Sequence, residues 1–333
     1  MKIAVCTTPQ NPVPPVKYGG AEKRADIIVR KMMGRGHIVH LYCGPGSTCP
    51  ADWKFEATST KMSAQREYIP PILDIGYDAI LDMTSYHIMS WPKGAEKDIR
   101  PVALMAGDPH KKYPHDTIRN RVYVSKEFAA FNGCPNHPIV HNIIHECPES
   151  VAYEYGEPPE RYAFYLGIIR PEKGLHIAAK ACRKLGLKFK VGGPILDETY
   201  WAGIEPLDGV EYLGLIDNDS EEKWKLFGQA SVFLYPALWC DAGPLAPMES
   251  LLAGTPVVGF ANGGICSDVQ DDINGWLRPK NMALDYISMI RHTLELDLHP
   301  GRVQKSILKA IDPDKCVTKL LKLLKRAASG EEW

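Results

Sequence analysis

The sequence predicts an α/β protein built from two Rossmann-like domains, and three observations carry that expectation. The chain has 333 residues, beyond a typical single domain and enough for two of about 150 residues, each with its own core. Short apolar, β-prone runs alternate with helical patterns in both halves, as they do where helices cover a parallel sheet. Between the halves, residues 147–161 carry three prolines and four acids and break the hydrophobic periodicity, as an interdomain linker does.

Composition narrows the class. A hydrophobic content of 45% and a charged content of 24% are ordinary for a soluble enzyme, and a net charge of −1 gives no electrostatic case for a nucleic-acid partner. Nine cysteines without C-x-x-C or regular spacing suggest neither a disulfide framework nor a zinc site, so a reducing cytoplasm is expected. The opening apolar run Ile3–Cys6 is too short for a signal peptide, and no run of about 18 apolar residues is present to span a membrane.

In the first half, a strand over 3–6 leads into a loop, 7–18, with four prolines. Gly19-Gly20 then opens a helix that runs through Ile27, Ile28 and Met32 and closes at Gly34, with a second strand over 37–43. A helix start preceded by glycines leaves backbone N–H groups pointing at open space, a place for an anion such as a diphosphate or simply a flexible loop. Neither G-x-G-x-x-G nor a P-loop accompanies it, so nicotinamide and P-loop chemistry are unsupported. Strands are expected over 78–82, 102–106 and 121–124. Polar residues follow the first two: Thr84, Ser85 and His87, then Asp108 and His110, which are candidate site residues. His115, His137, His141 and His145 share no helical face, and His145-Glu146 does not extend to H-E-x-x-H.

After the linker, a strand over 162–166 runs into Gly167-Ile-Ile-Arg-Pro-Glu-Lys-Gly174 and a helix over 175–185. Arg170 and Lys173, at a strand end, suit a diphosphate, the first as a fork and the second as a point charge; a solvated loop neutralised by Glu172 is the other reading. Strands follow over 189–192, 210–213 and 231–235, with a helix over 221–227. Asp217-Asn218-Asp219 has the form of a metal motif, but Ser220 followed by Glu221 and Glu222 makes a helix cap, and no metal is expected. In 237–260, Gly243-Pro244 opens a helix, Gly254 closes it and 255–260 forms a buried strand. Asp241 then precedes the helix and Glu249 lies within it, both placed to face the crevice at the strand ends, where open α/β sheets bind ligands. Gly263-Gly264 permits close approach of a ligand to the backbone, with a loop expected to run on to 274–277. A helix over 282–296 and an amphipathic helix over 315–328 complete the chain. The latter buries Val317, Leu320, Leu321, Leu323 and Leu324 and offers Lys319, Lys322, Lys325 and Arg326 to solvent or to acidic lipid.

Asp241-Ala-Gly-Pro-Leu-Ala-Pro-Met-Glu249, followed by Ala253-Gly-Thr-Pro-Val-Val258, resembles the Glu-x7-Glu signature of retaining GT-B glycosyltransferases, in particular glycosyltransferase family four, with Asp in the first acidic place. The run from Tyr18 through Gly19-Gly20 to Tyr42 resembles the family's opening. Residues 167–174 resemble its Gly-Arg-x-x-x-Glu-Lys-Gly loop, with Lys173 in register, Ile168 at the usual Arg place and Arg170 two residues on. The resemblance implies two Rossmann-like domains facing each other across a cleft. Residues 1–150 would form the acceptor side and 151–311 the nucleotide-sugar side, with a helix over 312–333 crossing back to the first domain.

The same resemblance implies a retaining transfer of a sugar from a nucleoside-diphosphate sugar to a hydroxyl of a glycan, lipid or small molecule, with no metal and no cofactor. Lys173, Arg170 and the Gly19 and Gly20 amides would hold the diphosphate, and Glu249 the ribose hydroxyls. Asp241 and the backbone of Ala242, Gly243, Pro244 and Leu245 would hold the sugar, with Asp108 and His110 as candidates from the first domain. The expected partners are the donor and the acceptor, with weak contact of the last helix to the inner membrane surface. The alternative, suggested by Ile168 and Asp241, is a degenerate chain that binds nucleotide sugar or serves as a partner subunit without turnover.

Overall fold

A computed structural model describes residues 1–84, 87, 101–105, 120–144, 161–218 and 220–333. The chain divides into two compact units, Met1–Ile144 with Ile311–Trp333, and His145–Ala310. Each contains a parallel sheet of six described strands.

The first unit runs β1 (Lys2–Cys6), α1 (Gly20–Met33), β2 (Ile38–Cys43), β3 (Trp53–Glu56), α2 (Ile69–Ile75), β4 (Ala79–Asp82), β5 (Val102–Met105), β6 (Asn120–Tyr123) and α3 (Lys126–Phe131). Its strands lie in the order β3-β2-β1-β4-β5-β6, all parallel. β4 and β5 are buried along their whole length, which explains why they read as continuous apolar runs rather than alternating ones. Two elements here are absent from the sequence expectation. Trp-Lys-Phe-Glu of β3 is a mostly exposed edge strand without an apolar signature, and α2 starts on Ile-Pro-Pro, where proline is tolerated only because the first turn leaves its N–H unpaired.

The second unit runs β7 (Tyr162–Leu166), α4 (Leu175–Leu185), β8 (Lys188–Gly192), α5 (Glu198–Ala202), β9 (Val210–Gly214), α6 (Glu221–Gly228), β10 (Val232–Tyr235), α7 (Leu245–Leu252), β11 (Val257–Phe260), β12 (Gly275–Arg278), α8 (Tyr286–Glu295) and α9 (Pro300–Leu308). The order β12-β11-β10-β7-β8-β9 repeats the topology of the first sheet, again all parallel. Phe164, Phe227 and Phe233 lock the sheet to α6, with ring centroids 5.1 to 5.9 Å apart. Two expectations are corrected. Residues 275–278, read as loop, form the edge strand β12 beside β11, where Gly275 is needed because a Cβ would lie 2.0 Å from the Val257 carbonyl oxygen. The helix expected from residue 282 begins only at Tyr286, after a 3₁₀ turn over Lys280–Asp285.

The chain then returns to the first unit as α10 (Pro313–Ala328), which packs on α1, β4 and β5. Asp312 caps it, accepting from the Lys315 N–H at 3.1 Å, and Asp314 pairs with Lys31 at 2.8 Å and Arg35 at 2.9 Å. Val317, Leu320, Leu321, Leu323 and Leu324 are buried, while Lys319, Lys322, Lys325 and Arg326 are exposed. Beyond the helix, the Trp333 indole N–H donates to the Arg121 carbonyl of edge strand β6 at 2.8 Å. Among the described residues no helix is long and apolar enough to cross a membrane. Leu324→Ala should destabilise the first unit by about 2–5 kcal/mol, whereas Lys322→Ala should stay within about 0.5 kcal/mol of the parent in urea unfolding.

Candidate functional site

In both sheets the strand order reverses beside the unit's first strand, and the carboxyl ends of the strands at such a reversal are where open α/β sheets take ligands. In the second unit the reversal falls between β7 and β10, so the loops 167–174 and 236–244 flank it. They are fastened to each other. The Leu238 N–H donates to the Glu172 carbonyl at 2.8 Å, and Gly174, in the left-handed region at φ 69°, lies so near Pro236 that a Cβ would sit 2.0 Å from its carbonyl oxygen.

This backbone contact brings together five side chains of the two loops and one from the end of β10. The Lys173 ammonium donates to Asp241 Oδ2 at 2.5 Å and to the Tyr235 hydroxyl at 3.0 Å, and that hydroxyl donates to the same Asp241 oxygen at 2.5 Å. The Trp239 ring lies under both cations of the first loop, 4.2 Å from the Arg170 guanidinium and 4.7 Å from the Lys173 ammonium. Glu172 sits 3.3 Å from Arg170 Nε. Burial pushes the Asp241 carboxyl up, but the Lys173 ammonium, helped by the Tyr235 hydroxyl and the Trp239 indole, outweighs it and holds the group below the usual carboxylate value.

Glu249 forms an ion pair of its own. Glu249, on α7, is 5% exposed and pairs with Lys223 of α6 at 3.3 Å, itself 1% exposed. Lys223 falls four residues before Phe227 on the buried face of its helix, so helical periodicity places it inward although its charge suggests the opposite. That register is the signal by which it is readable; Tyr235 and Trp239 have no such signal, since a strand end and a loop impose no period.

Gly263 and Gly264, read as a place for close ligand approach, are instead approached by protein. Gly263 pairs with Asp241 as a parallel bridge, the Gly264 N–H donates to the Asp241 carbonyl at 2.7 Å, and a Cβ on Gly264 would lie 2.3 Å from the Ala242 carbonyl oxygen. The backbone of Asp241 and Ala242 is thereby fixed from the β11 side. Gly243 and Pro244 complete the turn, with Pro244 as the cap of α7 and Leu245 its first residue.

In the first unit the reversal falls between β1 and β4. Gly19 adopts φ 153° against Pro15 and starts α1, of which Gly20 is the first residue. The first turns of α1 are unusually polar for a buried face. The Thr8 hydroxyl donates to the Glu22 carboxylate, Arg24 donates to Asn142, and Asp26 pairs with Arg30 at 2.8 Å. Burial raises the Glu22 carboxyl and lowers Arg24 to about 10. At the end of β4, Asp82 accepts from the Thr84 N–H at 2.9 Å and its hydroxyl at 2.7 Å, and the buried His87 lies 4.0 Å from the same carboxylate. Burial holds the His87 imidazole below its ordinary value. Asp108 and His110 lie outside the described residues, as does Asp219 of the Asp-x-Asp run.

Residues 154–307 match the model of the family described as glycosyl transferases group 1. The amylovoran biosynthesis glycosyltransferase AmsK of Erwinia amylovora is 31% identical over 203 residues, 53% of this chain and 48% of that protein. The chain spans between 30% and 48% of the length of the curated relatives it matches. Among solved structures, AviGT4, a glycosyltransferase involved in avilamycin A biosynthesis, superposes with a TM-score of 0.79 at 19% identity, covering 100% of this chain and 99% of that one. Anabaena HepE in complex with UDP and glucose gives 0.72 at 14% identity over 97% and 99% of the two chains. The likeness to solved structures is one of fold, and the fold is that of the GT-B glycosyltransferases. The family model matches 154–307, within the second unit, and the fold of the whole chain is the GT-B one.

A carboxyl held below its unfolded value contributes stability that is present above that value and lost as pH falls through the folded one. The stability difference between the parent and Asp241→Asn should therefore be constant above about pH 4 and shrink below it, as read from urea midpoints across the acid range. Lys223→Met and Glu249→Leu should each cost about 3–5 kcal/mol, because each leaves a buried charge alone; the double variant should cost far less than their sum in the same unfolding assay.

Proposed function

We propose that the chain transfers a sugar from a nucleoside-diphosphate sugar to a hydroxyl acceptor, with retention of anomeric configuration and without a metal ion. One observation carries this reading: Arg170 and Lys173 stand side by side over Trp239 at the switch point of the second sheet, a paired cationic surface where such folds take their ligands. Departure of a nucleoside diphosphate builds negative charge on its phosphates. Two cations fixed beforehand stabilise that charge more than they stabilise the bound donor. The first N–H groups of α7, at Leu245 and Ala246, face the same way as the positive end of that helix and suit sugar hydroxyls or phosphate.

Glu249, oriented by Lys223, accepts from the ribose hydroxyls in this reading, and Asp241 with the backbone from Ala242 to Leu245 holds the sugar. The acceptor proton passes to the leaving phosphate, so the chemistry requires no separate protein base. The names of the relatives agree on the reaction class, and HepE has also been solved with UDP-glucose, a donor of the type proposed.

The test is turnover of purified chain against a panel of UDP-, GDP-, ADP- and dTDP-sugars, with the anomer of the product read by NMR. Lys173→Ala should lower kcat by about 10²–10³-fold and Glu249→Ala should raise the donor KM, while EDTA should leave the rate unchanged. Inversion of the anomer or a loss of rate with EDTA overturns the mechanism. Specific donor binding without turnover by any acceptor favours a binding subunit instead.

A further inference from the structure

We infer that Trp239 is a positioning residue that gathers Arg170, Lys173 and Asp241 into one unit for the donor diphosphate, so that Arg170 acts as the second cation of the clamp. The inference rests on the function proposed above and goes beyond it by assigning a role to a residue with no reactive group. The chain carries Ile168 where a cation is expected, and Arg170 comes two residues later in the same loop. A displaced arginine on an exposed loop has many rotamers, and fixing one costs up to about 2 kcal/mol of side-chain entropy. A flat aromatic partner offsets that cost.

Trp239 meets the geometric needs of such a partner. Its ring centroid is 4.2 Å from the Arg170 guanidinium carbon and 4.7 Å from Lys173 Nζ, so one indole holds both cations at once. It is half-buried, so part of the ring remains open to solvent beside the two cations. The two loops that carry the ring and the cations are fixed to each other through Leu238 and Glu172 and through Gly174 and Pro236, so the stack is set by backbone rather than by chance of side-chain placement. Two like charges held over one ring repel. Glu172 at 3.3 Å from Arg170 and Asp241 at 2.5 Å from Lys173 balance them while no anion is bound. A diphosphate then enters as a replacement counter-ion for cations already in position, and Trp239 keeps them there when the carboxylates let go.

Isothermal titration of the full chain with UDP, GDP, ADP and dTDP identifies the diphosphate that binds most tightly, and the variants are titrated with that probe. Trp239→Leu, which removes the π face, should weaken binding about tenfold, while Trp239→Phe, which keeps it, should stay within about threefold of the parent. Arg170→Ala should weaken binding in the parent and have little further effect in Trp239→Leu, because the arginine is no longer held. Additive losses in that cycle, or equal affinity of the Leu and parent chains with unchanged thermal stability, overturn the inference while leaving the proposed function standing. If none of the four diphosphates binds the parent chain, the proposed function falls and the inference with it. Thermal unfolding of each variant separates loss of fold from loss of positioning, and a Trp239→Leu chain that unfolds far below both parent and Trp239→Phe assigns the indole to stability and rejects the inference.

Discussion

The arrangement of the second unit depends on the tie at Asp241. Its carboxylate accepts from Lys173 of the loop after β7 and from Tyr235 at the end of β10, and its carbonyl accepts from Gly264 of the loop after β11. Three loops from three neighbouring strands of the sheet thus meet at one residue. A carboxylate placed between an ammonium and a phenol in a largely buried position is stabilised by both, and removing it takes the counter-ion from Lys173 and the Asp241 acceptor from the Tyr235 hydroxyl. Loops are ordinarily the variable and mobile part of an α/β unit. Here their relative placement is set by short polar contacts and by glycines that admit carbonyl oxygens where a side chain would collide.

That tie also explains the shape of the cationic surface. Lys173 is the last residue of a single 3₁₀ turn, Pro171–Lys173, closed by the left-handed Gly174. The turn aims Lys173 at Asp241 and leaves Arg170, in extended backbone at its start, to lie across Trp239. Proline at the first turn position fixes φ, and glycine at the end supplies the positive φ that other residues resist, so the spacing of two residues between the cations is built into the loop. The polar geometry follows from the backbone rather than from a balance of solvated side chains.

Much of this was open to reading from residues alone, and the boundary between the readable and the hidden parts is physical. Buried parallel strands announce themselves as apolar runs, and α4, with apolar residues at helical spacing between Gly174 and Gly186, lies where its pattern puts it. Asp241, Glu249, Arg170 and Lys173 stand out because they fall in two runs, 241–249 and 167–174, that resemble family motifs and follow strand ends. Edge strands fail this test: β3 and β12 are short, partly exposed and mixed in character, so nothing separates them from loop. Partners fail it too. Which cation faces which carboxylate is a matter of three-dimensional neighbourhood, and no pattern in the residues pairs Glu249 with Lys223 or Asp241 with Lys173.

The two ion pairs of the site differ in kind, and the difference bears on how such a site binds. Lys223 and Glu249 are both nearly inaccessible, so neither charge can be exchanged for a ligand without leaving the other unpaired in a poorly solvated place. Lys173 and Asp241 keep 11% and 17% of their side-chain exposure, so under the proposed function an incoming anion or hydroxyl would reach this pair rather than the first. The first pair therefore fixes the orientation of a carboxylate, and in the proposed function the second would be the one whose partners a ligand replaces. A surface built this way presents charge without an energetic debt in its empty state, because each exposed cation has a carboxylate beside it. Affinity for an anion then comes from the difference between two sets of ionic contacts, which is small for a monovalent anion and larger for a diphosphate able to meet Arg170 and Lys173 together.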